Sequence, residues 1–302
     1  MNRSSLRQLK EISMRRINGS TDLDETDFLA AEEPLEIQVE GKSIAVVMRT
    51  PGEDRELAAG FLVTEGLIHG PGDLLDIRYR PHCQLSPNFV PPGPGPASAD
   101  ILEGNVVGVR LKNPASIDLK KLTRHVFTSS SCGICSKSSI AAVRQQFPPV
   151  DDDCEVDSPV LFALPQLLAA AQQTFQQTGG LHACALFDLA GNLQVLREDV
   201  GRHNALDKVV GWSLLAGRLP LREHILLLSG RTSFEMMQKA LAAGVPIVAA
   251  ISAPSTLAAE FARESGQTLV GFLRGARMNI YAGANRVRSP MVQRGGRFTV
   301  NC

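Results

Sequence analysis

The residues best suited to chemistry are Cys132 and Cys135, separated by Gly133 and Ile134 and set among Ser129, Ser130, Ser131, Ser136, Ser138 and Ser139. A thiolate can attack a persulfide, hold its outer sulfur and release it to an acceptor, provided that it is reachable; small polar neighbours give that access. The same spacing also serves dithiol redox chemistry or half of a zinc site. Zinc would need two further ligands, and the chain has neither a second Cys-x-x-Cys nor a His pair three to five residues apart, only scattered His82, Cys83, His125, Cys154 and Cys184. A thioredoxin-like pair sits between a strand and a helix start, whereas this one lies among serines ahead of a weak helical pattern. Cys132 is therefore read as a sulfur carrier and Cys135 as its partner. No His-x-Glu occurs, which a zinc-dependent base deaminase requires.

Three further turns combine glycine with cationic or hydroxyl side chains. In DVGRHNALDK, Gly201 permits close backbone approach, Arg202 and His203 offer donors, and Asn204 is expected to cap the helix that follows. A bland capped turn, with Asp199 paired to Arg202, is the alternative. In LLLSGRTSFEMM, Ser229, Gly230, Arg231 and Thr232 close an apolar strand and open a helix. In GFLRGARMN, Arg274, Gly275 and Arg277 follow another apolar strand, and guanidinium groups recognise phosphates bidentately. Together these turns favour a phosphate-bearing ligand, although none is a Walker or Rossmann loop. His182 and Cys184 lie in an apolar strand and read as core.

The elements that must position these residues follow from hydrophobic periodicity. LEIQVEGKSIAVVMRT predicts a hairpin around Glu40 and Gly41, and RELAAGFLVTEGLI a helix ending near Gly66. Residues 81–100 are dense in Pro and Gly and read as an exposed insertion. The second half predicts a helix in LPQLLAAAQQTFQQTGG, two strands around Ala190–Asn192, a helix in HNALDKVVGWSLLAG, and then alternating strands and helices to residue 274. Continuous apolar strands with helices between them predict a mainly parallel sheet covered on both faces, hence an α/β fold.

Composition narrows the partners. Thirty-one basic residues balance thirty-one acidic ones in 302 residues, so no global field draws the chain to nucleic acid or membrane, and an anion site must be local. No apolar run is long enough to span a bilayer, and the first twenty residues lack the apolar core of a secretory signal. Six irregularly spaced cysteines fit a reducing compartment, and the expected location is the cytoplasm.

Five ordered blocks, RTPGEDRELAAGFLVTEGLI, TSSSCGICSKSSI, REDVGRHNALDKVVGW, LSGRTSFEMMQKA and GVPIVAAISAPSTLAAEFARESGQTLVGFLRGARMNIY, resemble the formate dehydrogenase accessory sulfurtransferase family, FdhD. The resemblance implies a homodimer with a cytidine-deaminase-like three-layer domain. It implies sulfur transfer from a cysteine desulfurase to a molybdenum (or tungsten) cofactor bearing two pyranopterin guanine dinucleotides, with formate dehydrogenase as client. By position, Cys132 corresponds to the persulfide intermediate, Cys135 to its partner, and Phe272, Leu273, Arg274, Gly275, Ala276 and Arg277 to the cofactor-binding segment; no resident metal is expected. The expected division is a flexible tail over 1–32, a β-rich subdomain over 33–128, the cysteine loop over 129–140, an α/β cofactor-binding domain over 141–283 and a basic tail over 284–302. The alternatives are a chaperone that only binds the cofactor, and a zinc-stabilised binding module.

Overall fold

The computed structural model describes residues 8–79, 104–114 and 147–289. The Cys132 and Cys135 motif, the 81–100 insertion and the last thirteen residues lie outside the described residues. Strands β1 (Leu9–Asn18) and β2 (Thr21–Ala30) form an antiparallel two-stranded hairpin. Residues 9–30, expected to be a flexible tail, are thus corrected to ordered structure. The reason lies in charges that are sorted by strand: Arg15 and Arg16 of the basic strand pair with Asp22 and Glu25 of the acidic one. Gln8 and Lys10 then tie the hairpin to Thr174 and Glu33.

Strands β3 (Glu33–Val39) and β4 (Lys42–Arg49) form the expected hairpin, turning through Glu40 and Gly41, both at positive φ as a two-residue turn requires. Strand β3 also pairs in parallel with β6 (Val106–Leu111), which pairs antiparallel with β5 (Leu74–Tyr79), giving a four-stranded sheet in the order β4-β3-β6-β5. Helix α1 (Asp54–Thr64) follows β4 and is closed at Gly66, which has a positive φ.

The second half is a six-stranded sheet of β8 (His182–Asp188), β9 (Leu193–Asp199), β10 (His224–Leu228), β11 (Ile247–Ala250), β12 (Thr268–Arg274) and β13 (Arg277–Ala282), in the order β13-β12-β11-β10-β8-β9. Along β10, Ile225 and Leu227 face one apolar cluster and Leu226 and Leu228 the other. Helix α2 (Ser158–Ala171) supplies Leu161, Leu164 and Leu168 to the first cluster. The second is covered by α4 (Arg202–Leu215), α5 (Phe234–Ala242) and α6 (Thr256–Glu264), completing the expected three layers. The short α3 (Gln173–Thr178) continues from α2 after a break at Gln172. Parallel pairing is confined to β10, β11 and β12; the flanking ladders are antiparallel, so the sheet is mixed rather than mainly parallel. Short turns after β8 and β12 return the chain as neighbouring strands, where a parallel neighbour would need a long crossover.

The expected basic tail also begins as structure. Val287–Arg288, strand β14, pairs with Val156–Asp157, strand β7, and Arg288 forms an ion pair with Glu155. Arg286 is buried and donates to the carbonyls of Asp152 and Gly266.

The two halves meet where α1 crosses α4 at backbone contact. A Cβ on Gly60 would stand 1.7 Å from the Asp207 carbonyl oxygen, and one on Gly211 would stand 1.8 Å from that of Glu56. Helix propensity alone predicts that Gly60→Ala or Gly211→Ala stabilises by about 1 kcal/mol. The contact reverses the sign, because the added methyl forces two helices apart within a filled core. Each variant should lose about 2 kcal/mol or more in a urea unfolding titration.

Candidate functional site

Strand direction decides which loops share a surface. Strands β10, β11 and β12 run in parallel; β9 is antiparallel to β8, which is antiparallel to β10, so β9 runs with them. The C-terminal ends of β9, β10, β11 and β12, with the start of β8, therefore open on one edge. Ligands of α/β sheets bind at such an edge. All three turns singled out from the sequence lie there.

At the end of β9, Asp199 is fully buried. Its Oδ1 accepts hydrogen bonds from the Gly201 amide at 2.8 Å and from Asn204 Nδ2 at 2.9 Å. Its Oδ2 faces Lys208 Nζ at 2.9 Å and accepts from the Thr50 amide. Lys208 in turn donates to the Thr50 carbonyl at 3.0 Å. Asp199 thus pairs with Lys208, not with Arg202. Asn204 is buried in the first turn of α4 and donates to the Met48 carbonyl and to Asp199, so the expected capping role is corrected to a tie across the two halves. Gly201 is the N-cap of α4 and no side chain caps that helix. His203 is buried, with Nε2 3.1 Å from Glu235 Oε2 on α5.

At the end of β10, Ser229 closes the ladder to β8: its amide donates to the Ala183 carbonyl and its Oγ accepts from the Ala183 amide. Gly230 lies against His182, whose Nδ1 would be 3.2 Å from a Cβ placed there. Arg231 is exposed, while Thr232 is buried and bridges the β11 loop through Ala253 and Ser255. Burial, with the cationic side chains of Arg202 and Arg231 close by, holds the His182 pKa below the ordinary histidine value. His182 reads as core from sequence, yet it stands half-buried at the centre of this edge. Its position at the first residue of β8 is the signal that marks it.

The Phe272–Arg277 segment spans the β12 to β13 hairpin. Phe272 has a φ of 51° and is exposed, donating its amide to the Ser252 carbonyl. Leu273 is fully buried, so its side chain belongs to the core and only its backbone is offered to a ligand. Arg274 Nε donates to the Ile251 carbonyl, Gly275 turns at φ 53°, and Ala276 and Arg277 stand exposed.

The cysteines within the described residues are poor nucleophiles. Burial pushes the Cys154 thiol up to about 11, helped by Asp152, and burial raises that of Cys184. Among the described residues no three His, Cys, Asp or Glu side chains come together as a metal site, and no helix is long and apolar enough to cross a membrane.

A second ionic cluster lies one residue earlier on α4. Lys239 Nζ approaches Asp207 Oδ2 at 2.9 Å and donates to Thr64 Oγ1 at 2.8 Å. Burial works against the Lys239 ammonium, but Asp207 and Glu65 outweigh it and lift its pKa above the usual lysine range. The sequence signal for both clusters is an adjacent Asp207 and Lys208 set between the apolar pairs Ala205-Leu206 and Val209-Val210. Removing one member strands its partner's charge in the interior. Lys208→Met should therefore cost about 3 to 5 kcal/mol in chemical denaturation.

The model of the FdhD/NarQ family matches residues 30–288. A sulfur carrier protein FdhD from Mycolicibacterium paratuberculosis is 49% identical over 86% of this chain and 92% of its own. One from Saccharolobus solfataricus is 38% identical over 93% of this chain and 98% of its own. The fold matches a crystal structure from Desulfotalea psychrophila, described as a candidate formate dehydrogenase accessory protein, with a TM-score of 0.69 and 23% identity over 93% of this chain and all of the other. On the extent of the family match and these identities, the chain belongs to the FdhD/NarQ family.

Proposed function

We propose that this protein is a cytoplasmic, homodimeric sulfurtransferase that carries sulfur as a persulfide on Cys132, with Cys135 as its partner. The Cys132 thiolate attacks the outer sulfur of a cysteine desulfurase persulfide; the S–S bond breaks, the desulfurase cysteine leaves as thiolate, and the sulfur stays on Cys132. The acceptor is the molybdenum (or tungsten) cofactor with two pyranopterin guanine dinucleotides, bound as substrate before it enters formate dehydrogenase. The relatives' name, sulfur carrier protein, supports the transfer role.

The observation that carries the acceptor assignment is the convergence of Gly201–Asn204, Ser229–Thr232 and Phe272–Arg277 on one sheet edge. Exposed Arg231 and Arg277, two glycine turns and the uncapped start of α4 suit the diphosphates of guanine dinucleotide tails. The two described cysteines, Cys154 and Cys184, are buried with raised pKa values and are unsuited to the nucleophile's role.

Incubation with a cysteine desulfurase and sulfur-35 cysteine should label the wild-type chain in a reductant-releasable form, and Cys132→Ala should abolish the label. Undiminished labelling of that variant would reject the carrier. Arg277→Ala should weaken GDP binding by about 1 to 3 kcal/mol in calorimetry; unchanged affinity would displace the guanine dinucleotide from the β12 to β13 turn.

A further inference from the structure

A surface helix ordinarily turns an apolar stripe to the core and a charged one to water. Helix α6 does so: Ala258, Phe261 and Ala262 are buried, while Glu260, Arg263 and Glu264 are exposed. Helix α2 departs from that pattern. Leu161, Leu164 and Leu168 are buried against the sheet, yet the opposite stripe of Ala163, Gln166, Leu167 and Ala170 is exposed and carries no charge. From Ser158 to Leu181 the chain contains no Asp, Glu, Lys, Arg or His. Leu167 is 43% exposed, and Phe175, on the α3 that continues α2, is 41% exposed. A helix that is apolar on all sides belongs in an interior. Among the described residues, however, three helices cover one side of the six-stranded sheet and α2 alone covers the other, with nothing over it.

We propose that the outer face of α2 and α3 is the contact between two copies of this chain, with the two α2 helices packed antiparallel across a two-fold axis at Leu167. This rests on the homodimer reading above and gives it a surface. A two-fold contact sets each residue against another of the same patch. With the axis between Gln166 and Leu167, Ala163 of one copy lies opposite Ala170 of the other, and these small side chains leave room for the two Leu167 side chains to interdigitate.

Charge and area both select a second copy as the occupant. Identical charged faces repel one another across a two-fold axis, and this face carries no charge to repel. A different protein would find on it none of the ionic groups that steer an encounter and fix its register. Depletion of charge together with apolar composition is the mark of homodimer interfaces. Helix α2 has 14 residues and is about 21 Å long. At a helix width of about 10 Å its footprint is roughly 200 Å², short of the about 800 Å² that each partner of a stable complex buries. The contact must therefore extend past it. Phe175 continues the patch along α3, and Met278 and Ile280 of the edge strand β13, partly buried on the α2 side of the sheet, widen it.

The test is sedimentation of the full chain, in which wild type should run as a dimer of the 32.5 kDa polypeptide. Leu167→Arg and Leu167→Glu each set two like charges against one another at the axis, and each should raise the dimer dissociation constant about a hundredfold or more. Mixed in equal amounts, the two variants should recover a dimer containing one chain of each, which misfolded chains could not do. Leu257→Arg, at a leucine of α6 that is 41% exposed, should dimerise as wild type. A wild-type dimer with Leu167 variants that still dimerise alone, or that stay monomeric when mixed, would overturn this face and leave the homodimer itself standing. A monomeric wild type would overturn both. Persulfide labelling of Cys132 is read separately, so the carrier and the contact can fail independently.

Discussion

Asp199 and Lys208, buried together between two sheets, hold the rest of the structure in register. Isolated, either charge would be expelled from such an interior, and the pair persists because every remaining oxygen and hydrogen is used. Asp199 reaches Thr50, Gly201 and Asn204, while Lys208 reaches the Thr50 carbonyl. Two of those contacts cross from the α/β sheet to the end of the β4 segment, and two shape the loop that starts α4. The junction of the halves and the first turn of the candidate site are thus one hydrogen-bonded object.

This coupling explains which features could be read from residues alone. The β3 to β4 hairpin, α1, α4, α5 and the apolar strands follow from local periodicity and turn chemistry, and the glycine turns on the sheet edge follow from composition at strand ends. What escaped is non-local. Asp199 and Lys208 are nine residues apart and meet only because α4 folds back along β9. Glu235 meets His203 from another helix, and Gly60 and Gly211 have no meaning until α1 and α4 cross. The N-terminal hairpin is hidden in one dimension, where opposite charges in successive segments look like a solvated tail; paired across a turn they neutralise one another.

Antiparallel flanks follow from the same limit. Apolar runs show that β8, β10, β11 and β12 are buried on both faces but carry no direction, and direction is set by loop length. The four-residue return after Asp188 and the two-residue return after Arg274 exclude a crossover, so β9 and β13 become antiparallel neighbours. Because β9 then runs with β10, its outgoing loop reaches the edge used by β10 and β12. Had β9 been joined the other way, Gly201 and Arg202 would lie at the opposite end of the sheet.

The glycine contact between α1 and α4 also has a mechanical meaning. Helices separated by side chains can slide or rock as rotamers change, but backbones in direct contact have no such compliant layer. Helix α4 begins at the candidate site and passes across α1, which is itself packed on the four-stranded sheet. The two halves therefore behave as one lever without a hinge at the crossing. Any displacement imposed on the first turn of α4 is carried undamped into the opposite half of the molecule.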